Sequence, residues 1–286
     1  MSIEHYENFP VASVLLPRRL RRPVIDIYRF ARSADDIADE GDLSAAERLE
    51  LLAQFETGIE QLQYHQPVLA DTPHSAIFVP LASTISNFQL PLKPFLDLLS
   101  AFRQDVTTHR YTDMAQVLDY CTRSANPVGR LMLHLYEAHS PELVEMSDST
   151  CTGLQLVNFW QDVALDWHKN RIYIPQDLLA QYDLDDDYIQ ARSQLQRQPQ
   201  ADARWQEMMQ LLVIDARQRL QAGLLLSSHL PGRISLELKM MVLGGLRILE
   251  RLEDVQFDVF SHRPTLSRLD WLRLIARGLS RTPYRP

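Results

Sequence analysis

Glycine is scarce in this chain, nine residues in 286, and cysteine is scarcer, with two. So little glycine speaks against a sheet protein built on tight turns, which draw on residues that accept positive φ. Leu, Ala, Gln, Arg and Glu are plentiful instead and favour helices. Cys121 and Cys151 make no disulfide framework and show no metal-ligand spacing, and neither has the basic neighbours of a nucleophile. No apolar run reaches transmembrane length. The start, Met1-Ser2-Ile3-Glu4-His5-Tyr6, is not the charged-then-apolar leader of an exported chain. A soluble, reducing, cytoplasmic setting is the expectation. No Gly-x-Gly-x-x-Gly follows a strand pattern, so no Rossmann nucleotide site is expected. Repeats, low-complexity tracts and dividing linkers are also missing. With 45% hydrophobic residues, 1–286 reads as one domain with a large core.

Positive charge is lacking overall and concentrated where it occurs. The net charge is −8, yet from Ser261 onward six arginines (263, 268, 273, 277, 281, 285) face one acid, Asp270. The acidic body argues against a nucleic-acid partner. Arginine alternates with Leu266, Leu269, Trp271, Leu272, Leu274, Ile275 and Leu279, the pattern of a basic amphipathic helix. Such a helix can lie on an anionic membrane as a peripheral contact. The favoured reading is a last helix packed on the body with its arginines in water.

Periodicity predicts helix after helix: about 17–40, 44–64 behind a capping box at Ser44, 74–88, 91–106, 113–123, 127–139, 147–168, 201–228 and 233–256, then the tail helix after Pro264. Segment 170–200 reads as irregular, with Asp183 to Asp187 a solvated acidic loop. The fold class is all-α, a helical bundle around a central cavity.

Two acidic segments stand out against this background. In the first, Asp35 and Asp39 are four apart, and Tyr28, Arg32 and Asp36 share their stripe. A lone pair of this kind is more often a solvated helix face. In the second, Gln155, Asn158, Asp162 and Asp166 form one polar stripe. It runs through Leu154, Leu156, Val157, Phe159, Trp160, Val163, Ala164 and Leu165. A helix that is apolar almost all round is buried, and the one polar stripe on it needs something to bind. Carboxylates there are costly unless paired. Two such stripes can share divalent cations, and the cations can share a diphosphate. Mg²⁺, a hard ion that takes oxygen ligands, suits Asp35, Asp36, Asp39, Asp162 and Asp166, with Asn158 as a neutral oxygen. Arg32 and Arg171 can contact phosphate oxygens. Phe9, Tyr28 and Tyr120 can offer ring faces to a cation, although for any single aromatic core packing is the commoner role. Behind the acidic mouth a long apolar pocket is expected, walled near 28–35, 120–135 and 155–166.

These residues together resemble the squalene/phytoene synthase family. The likeness rests on His5-x-x-x-Phe9 with Leu15-Leu16-Pro17, and on Tyr28-x-x-x-Arg32-x-x-Asp35-Asp36-x-x-Asp39. It continues in Tyr120 with Val128-Gly129, in Gln155-x-x-Asn158-x-x-x-Asp162-x-x-x-Asp166, and in Asn170-Arg171-Ile172-Tyr173-Ile174-Pro175. The resemblance implies an all-α enzyme that handles isoprenoid diphosphates with Mg²⁺. Asp35, Asp39, Asp162, Asp166 and Tyr120 would be catalytic. His5, Phe9, Tyr28, Arg32, Gln155, Arg171 and Tyr173 would contact substrate, the last two from a flap near the diphosphate. The opening His5 to Ser13, and Asn158-Phe159-Trp160-Gln161-Asp162, are similar to one branch, the hydroxysqualene synthases of bacterial hopanoid biosynthesis. Those enzymes expel diphosphate from presqualene diphosphate and quench the rearranged cation with water, so no NADPH is expected. Two alternatives stay open: a head-to-head prenyl synthase, and a non-enzymatic assembly factor of the same fold, against which the intact acidic positions argue. Arg247-Ile248-Leu249 departs from the family, which often has a cavity-lining Tyr there.

Overall fold

The structure, a computed structural model, describes residues 16–63, 73–194 and 202–279. Among these there are thirteen helices and no strand. The first four are α1 (Arg18–Asp39), α2 (Ala45–Gln63), α3 (Ser75–Phe88) and α4 (Lys93–Asp105). Then come α5 (Met114–Ser124), α6 (Asn126–Leu135), α7 (Pro141–Gln161), α8 (Val163–His168), α9 (Gln176–Gln181) and α10 (Asp186–Gln194). The last three are α11 (Ala203–His229), α12 (Gly232–Asp254) and α13 (Arg268–Leu279).

Helix α1 shows how the pattern becomes a fold. Leu20, Val24, Ile27, Phe30, Ala34 and Ala38 recur every three or four residues and are buried. Phe30 packs edge-on against Phe78 and Phe95 at ring distances of 5.9 and 5.4 Å, and tilted against Phe55 at 5.8 Å. This core joins α1 to α2, α3, α4 and α6. The remaining face of α1 carries Tyr28, Arg32, Asp35, Asp36 and Asp39, so burying Phe30 turns the acids the other way.

A second core lies among α5, α7, α11 and α12, with Trp160 and Trp205 fully buried in it. Here the helices approach closely. A Cβ on Gly223 of α11 would stand 2.5 Å from Val242 Cγ2 and 2.8 Å from Thr150. The missing side chain therefore sets the spacing between α7, α11 and α12.

The structure departs from the expected elements in three places. The helix expected over 147–168 begins at Pro141 and is interrupted at Asp162 (φ −106°, ψ 15°) before α8 resumes. The Asp162 and Asp166 N–H groups still donate to Asn158 and Asp162 carbonyls at 2.9 and 2.8 Å, so the polar stripe survives the break. Segment 170–194 is not irregular but holds α9 and α10. Asp186 and Asp187 open α10, where carboxylates complement the exposed N–H groups, and Asp186 pairs with Arg110 at 2.7 Å.

The tail helix α13 docks on the body. Leu274 is buried, and Asp270, 1% exposed, accepts from Arg247 Nε at 2.7 Å and Arg251 Nη2 at 2.9 Å on α12. This favours the docked-helix reading over a peripheral membrane contact, although Leu269 and Leu272 remain exposed. No described helix is long and apolar enough to cross a membrane.

Substituting Gly223→Ala should lower the unfolding free energy by about 1–3 kcal/mol through overpacking, against the ~1 kcal/mol that Ala ordinarily gains over Gly in a helix. Denaturant melts of both proteins check this; an Ala variant as stable as the parent would show that the helices part freely.

Candidate active site

The acidic end of α1 meets the loop after α8. Arg32 Nη1 donates to Asp35 Oδ2 at 3.1 Å, and its Nη2 pairs with Asp36 at 2.6 Å. Asp39 is gripped from the other side. Arg171 donates to it through Nη1 at 2.9 Å and Nη2 at 2.5 Å, and Lys169 Nζ stands at 3.1 Å. Tyr28 lies half-buried on the same face of α1.

The loop that delivers Arg171 is held by named contacts. Asn170 adopts φ +58°, the left-handed region that Asn tolerates. Arg171 N–H donates to the Asp166 carbonyl at 2.9 Å, and Ile172 N–H to His109 O at 3.0 Å. Arg110 clamps the turn: Nη1 donates to Asn170 O, Nη2 to Asn170 Oδ1 at 3.1 Å and Nε to Asp186 Oδ2 at 2.7 Å. Its guanidinium lies 5.5 Å from the Trp167 ring centroid. Arg171 is 9% exposed, so its charge lies largely out of water beside Asp39.

The second stripe arrives from α7 and α8. Asn158 is exposed and Gln155 half-buried. Asp162 is held by Arg263, through Nε at 2.5 Å and Nη2 at 3.0 Å. Sequence reasoning counted Arg263 with the basic tail. No local pattern marks it, because the contact spans 101 residues. Next to it Gln161 Nε2 donates to Pro264 O, which ties the same segment to α7.

A stack of aromatic rings adjoins these charges. Phe159 and Tyr173 lie face to face, 3.7 Å between centroids and 8° between planes. Tyr120 stands 5.9 Å from Tyr173 and 6.1 Å from Phe159, and Tyr111 is 5.6 Å from both tyrosines. The Tyr120 hydroxyl donates to Asp105 Oδ2 at 2.9 Å. Asp105, at the end of α4, was missed from the sequence. Its signal was there, since Leu98, Ala101, Phe102 and Asp105 form one stripe and the acid falls on the apolar face.

Electrostatics tie the two stripes together. Burial, then repulsion from Asp39, pushes the Asp35 carboxyl up to about 6 despite Arg32. Burial, then Asp162, pushes Asp166 up to about 8, with Asp39 adding to it. Burial would raise Asp39 too, but its bonds from Arg171 outweigh it and hold Asp39 below the usual range. The site thus holds more acid than its arginines and lysine neutralise. Oxygen donors with surplus negative charge in a partly dry place are what a hard divalent cation requires. As placed, each paired carboxylate leans toward its own base, and among the described residues no three His, Cys, Asp or Glu side chains converge on one point. The two described hollows lie elsewhere, one between α1 and α3, the other beside Tyr111 and Asp113. His5, Phe9 and the rest of the His5 to Ser13 opening lie outside the described residues.

Comparison with known proteins points the same way. A profile of the squalene/phytoene synthase family matches residues 3–270. Hydroxysqualene synthases of Zymomonas mobilis and Rhodopseudomonas palustris are 38% and 40% identical over 174 residues. That segment is 60% of this chain, and the chain spans only 56% of the length of either relative. The crystal structure of squalene synthase HpnC from Alicyclobacillus acidocaldarius superposes with a TM-score of 0.78 at 34% identity. It covers 88% of this chain and 90% of that one.

Raised carboxyls make a prediction about pH. Asp35 and Asp166 keep their protons in the folded chain to about 6 and about 8, whereas the unfolded chain loses them near 4. Their contribution to stability is therefore full below pH 4 and is lost as pH rises to about 8. A bound cation favours the ionised forms. The rise in melting temperature on adding Mg²⁺ with inorganic pyrophosphate should be larger at pH 8 than at pH 6. A rise independent of pH would count against these carboxyls as the cation's ligands.

Proposed function

This chain belongs to the squalene/phytoene synthase family, and from that premise we infer that it ionises an isoprenoid diphosphate. More specifically, it converts presqualene diphosphate and water to hydroxysqualene and diphosphate. The observation that supports this reading is the approach of the two acidic stripes near Arg171, where burial and then the neighbouring carboxylates push Asp35 up to about 6 and Asp166 up to about 8. The two hydroxysqualene synthases at 38% and 40% identity support the finer statement.

In this reading Asp35, Asp36, Asp39, Asp162 and Asp166, with Asn158, would hold Mg²⁺. Bound there, the ion would neutralise the leaving diphosphate as a Lewis acid. Arg32, Lys169, Arg171 and Arg263 already surround the carboxylates. The arginine forks suit phosphate oxygens, so these side chains orient the diphosphate and draw its charge away from the carbon that ionises. Tyr28 and Gln155 share the two stripes and face the same substrate. The packed rings of Phe159, Tyr173 and Tyr120 offer electron-rich faces to the carbocation and keep stray water out. His5 and Phe9, outside the described residues, enter this reading only as the substrate contacts that the resemblance implies. One water, admitted after rearrangement, forms the carbon–oxygen bond and yields its proton, and no reductant takes part. The same reading takes the enzyme as cytoplasmic and 1–286 as one catalytic domain.

A second reading, head-to-head condensation of two prenyl diphosphates, is favoured by the likeness to a structure described as a squalene synthase. The same carboxylates and arginines serve it, since both reactions begin by removing diphosphate.

Incubation of the protein with presqualene diphosphate and Mg²⁺ in ¹⁸O-water should give a thirty-carbon alcohol carrying the label, with or without NADPH. Consumption of farnesyl diphosphate with no alcohol from presqualene diphosphate would make the second reading correct. Asp35→Asn and Asp162→Asn should each cut diphosphate release by about a hundredfold or more while leaving helical circular dichroism unchanged. Full activity in either would overturn the metal assignment.

A further inference from the structure

Arg171 is committed to the wrong partner for a working site. Its fork occupies both oxygens of Asp39, and Lys169 adds a third donor. A divalent cation and a guanidinium compete for Asp39, because like charges at that distance repel and three of the roughly four lone pairs of the carboxylate are already taken. A cation bound there would favour the departure of Arg171. A buried guanidinium cannot move to an apolar place, since an unpaired buried charge costs several kcal/mol. It needs another seat within reach.

Asp105 meets the requirements. Arg171 Nη2 already donates to the Asp105 backbone oxygen at 3.0 Å. Asp105 is 5% exposed, and its Oδ1 is buried without a hydrogen-bond partner. Arg171 Nε is also buried without one. A native structure seldom leaves a donor and an acceptor unmet on two neighbouring residues of opposite charge. The other carboxyl that feels Arg171, Asp166, belongs to the stripe that takes the cation. Asp105 lies on α4, apart from both stripes, and stays available.

We propose that Asp105 is a positioning residue: it receives Arg171 when Asp39 is taken by the cation, and holds the guanidinium with one edge on its carboxylate and the other toward the diphosphate. This rests on the reading that Asp39 binds the cation. Five donors in a rigid fork allow one arginine to serve both partners. Burial pushes the Asp105 carboxyl up to about 7, against the pull that the nearby Arg171 charge and the Tyr120 hydroxyl already exert on it.

Calorimetric titration with Mg²⁺ and inorganic pyrophosphate tests this without turnover. Asp105→Asn keeps volume and an acceptor for Tyr120. It should weaken binding about tenfold, as expected for partners in one ion-pair network. In an Arg171→Lys background the same change should cost little more, because the fork that couples the two residues is gone. Unchanged binding in Asp105→Asn, or an equal loss in both backgrounds, would overturn the proposal. Asp39→Asn reports on the underlying reading: binding as tight as in the parent would remove that reading and this inference with it, whereas failure of Asp105→Asn alone removes only the inference. A crystal structure of the parent protein with Mg²⁺ and pyrophosphate gives an independent answer. Arg171 on the Asp105 carboxylate and off Asp39 is expected, and Arg171 still gripping Asp39 would overturn it.

Discussion

Negative charge that has been taken out of water must be answered, and this structure is organised around the answer. Helix α1 brings three acids to its last turns, the α7–α8 stripe brings two more, and α4 ends in a sixth. Arg171 stands among them and bonds to Asp39 and to the Asp105 backbone. A buried arginine here is worth more than a surface pair, because little water remains to screen it. The loop that carries it is correspondingly over-determined. Arg110, Asn170 and Asp186 hold its turn, and Ile172 bonds back to His109. Loosening that loop would leave the acids unanswered.

The two cores explain how the charges come to face one another. Packing Phe30 among Phe55, Phe78 and Phe95 fixes the rotation of α1, and the acids follow on its other face. Packing Trp160 in the second core does the same for α7, two residues before the break at Asp162. Neither helix is held by its acids. Each is oriented by apolar burial, and the cost of gathering like charges is met by that burial and by the neighbouring bases. An arrangement of this kind, in which stable packing supports an electrostatically strained centre, is what a site for a highly charged ligand requires.

Most helix positions, the all-α class and the two acidic stripes were legible from the sequence by itself, because each depends on spacing along one helix; α9 and α10 were not. The capping box at Ser44 is present as read, with Ser44 N–H donating to Glu47 at 2.8 Å. The stripe of Asn158, Asp162 and Asp166 survives even the interruption of its helix, since the backbone bonds four residues apart persist across it. What the sequence could not reveal are the partners. Arg263 on Asp162 joins residues 101 apart, Arg171 on Asp39 joins residues 132 apart, and Arg110 with Asp186 clamps a loop that read as irregular. Periodicity places a side chain on a face of its own helix; it carries no information about which distant side chain the packing will set opposite. Asp105 lies between the two cases. Its place on an apolar stripe could be read from α4, but its meaning, a buried carboxyl between Tyr120 and Arg171, was decided only when three separate segments packed together.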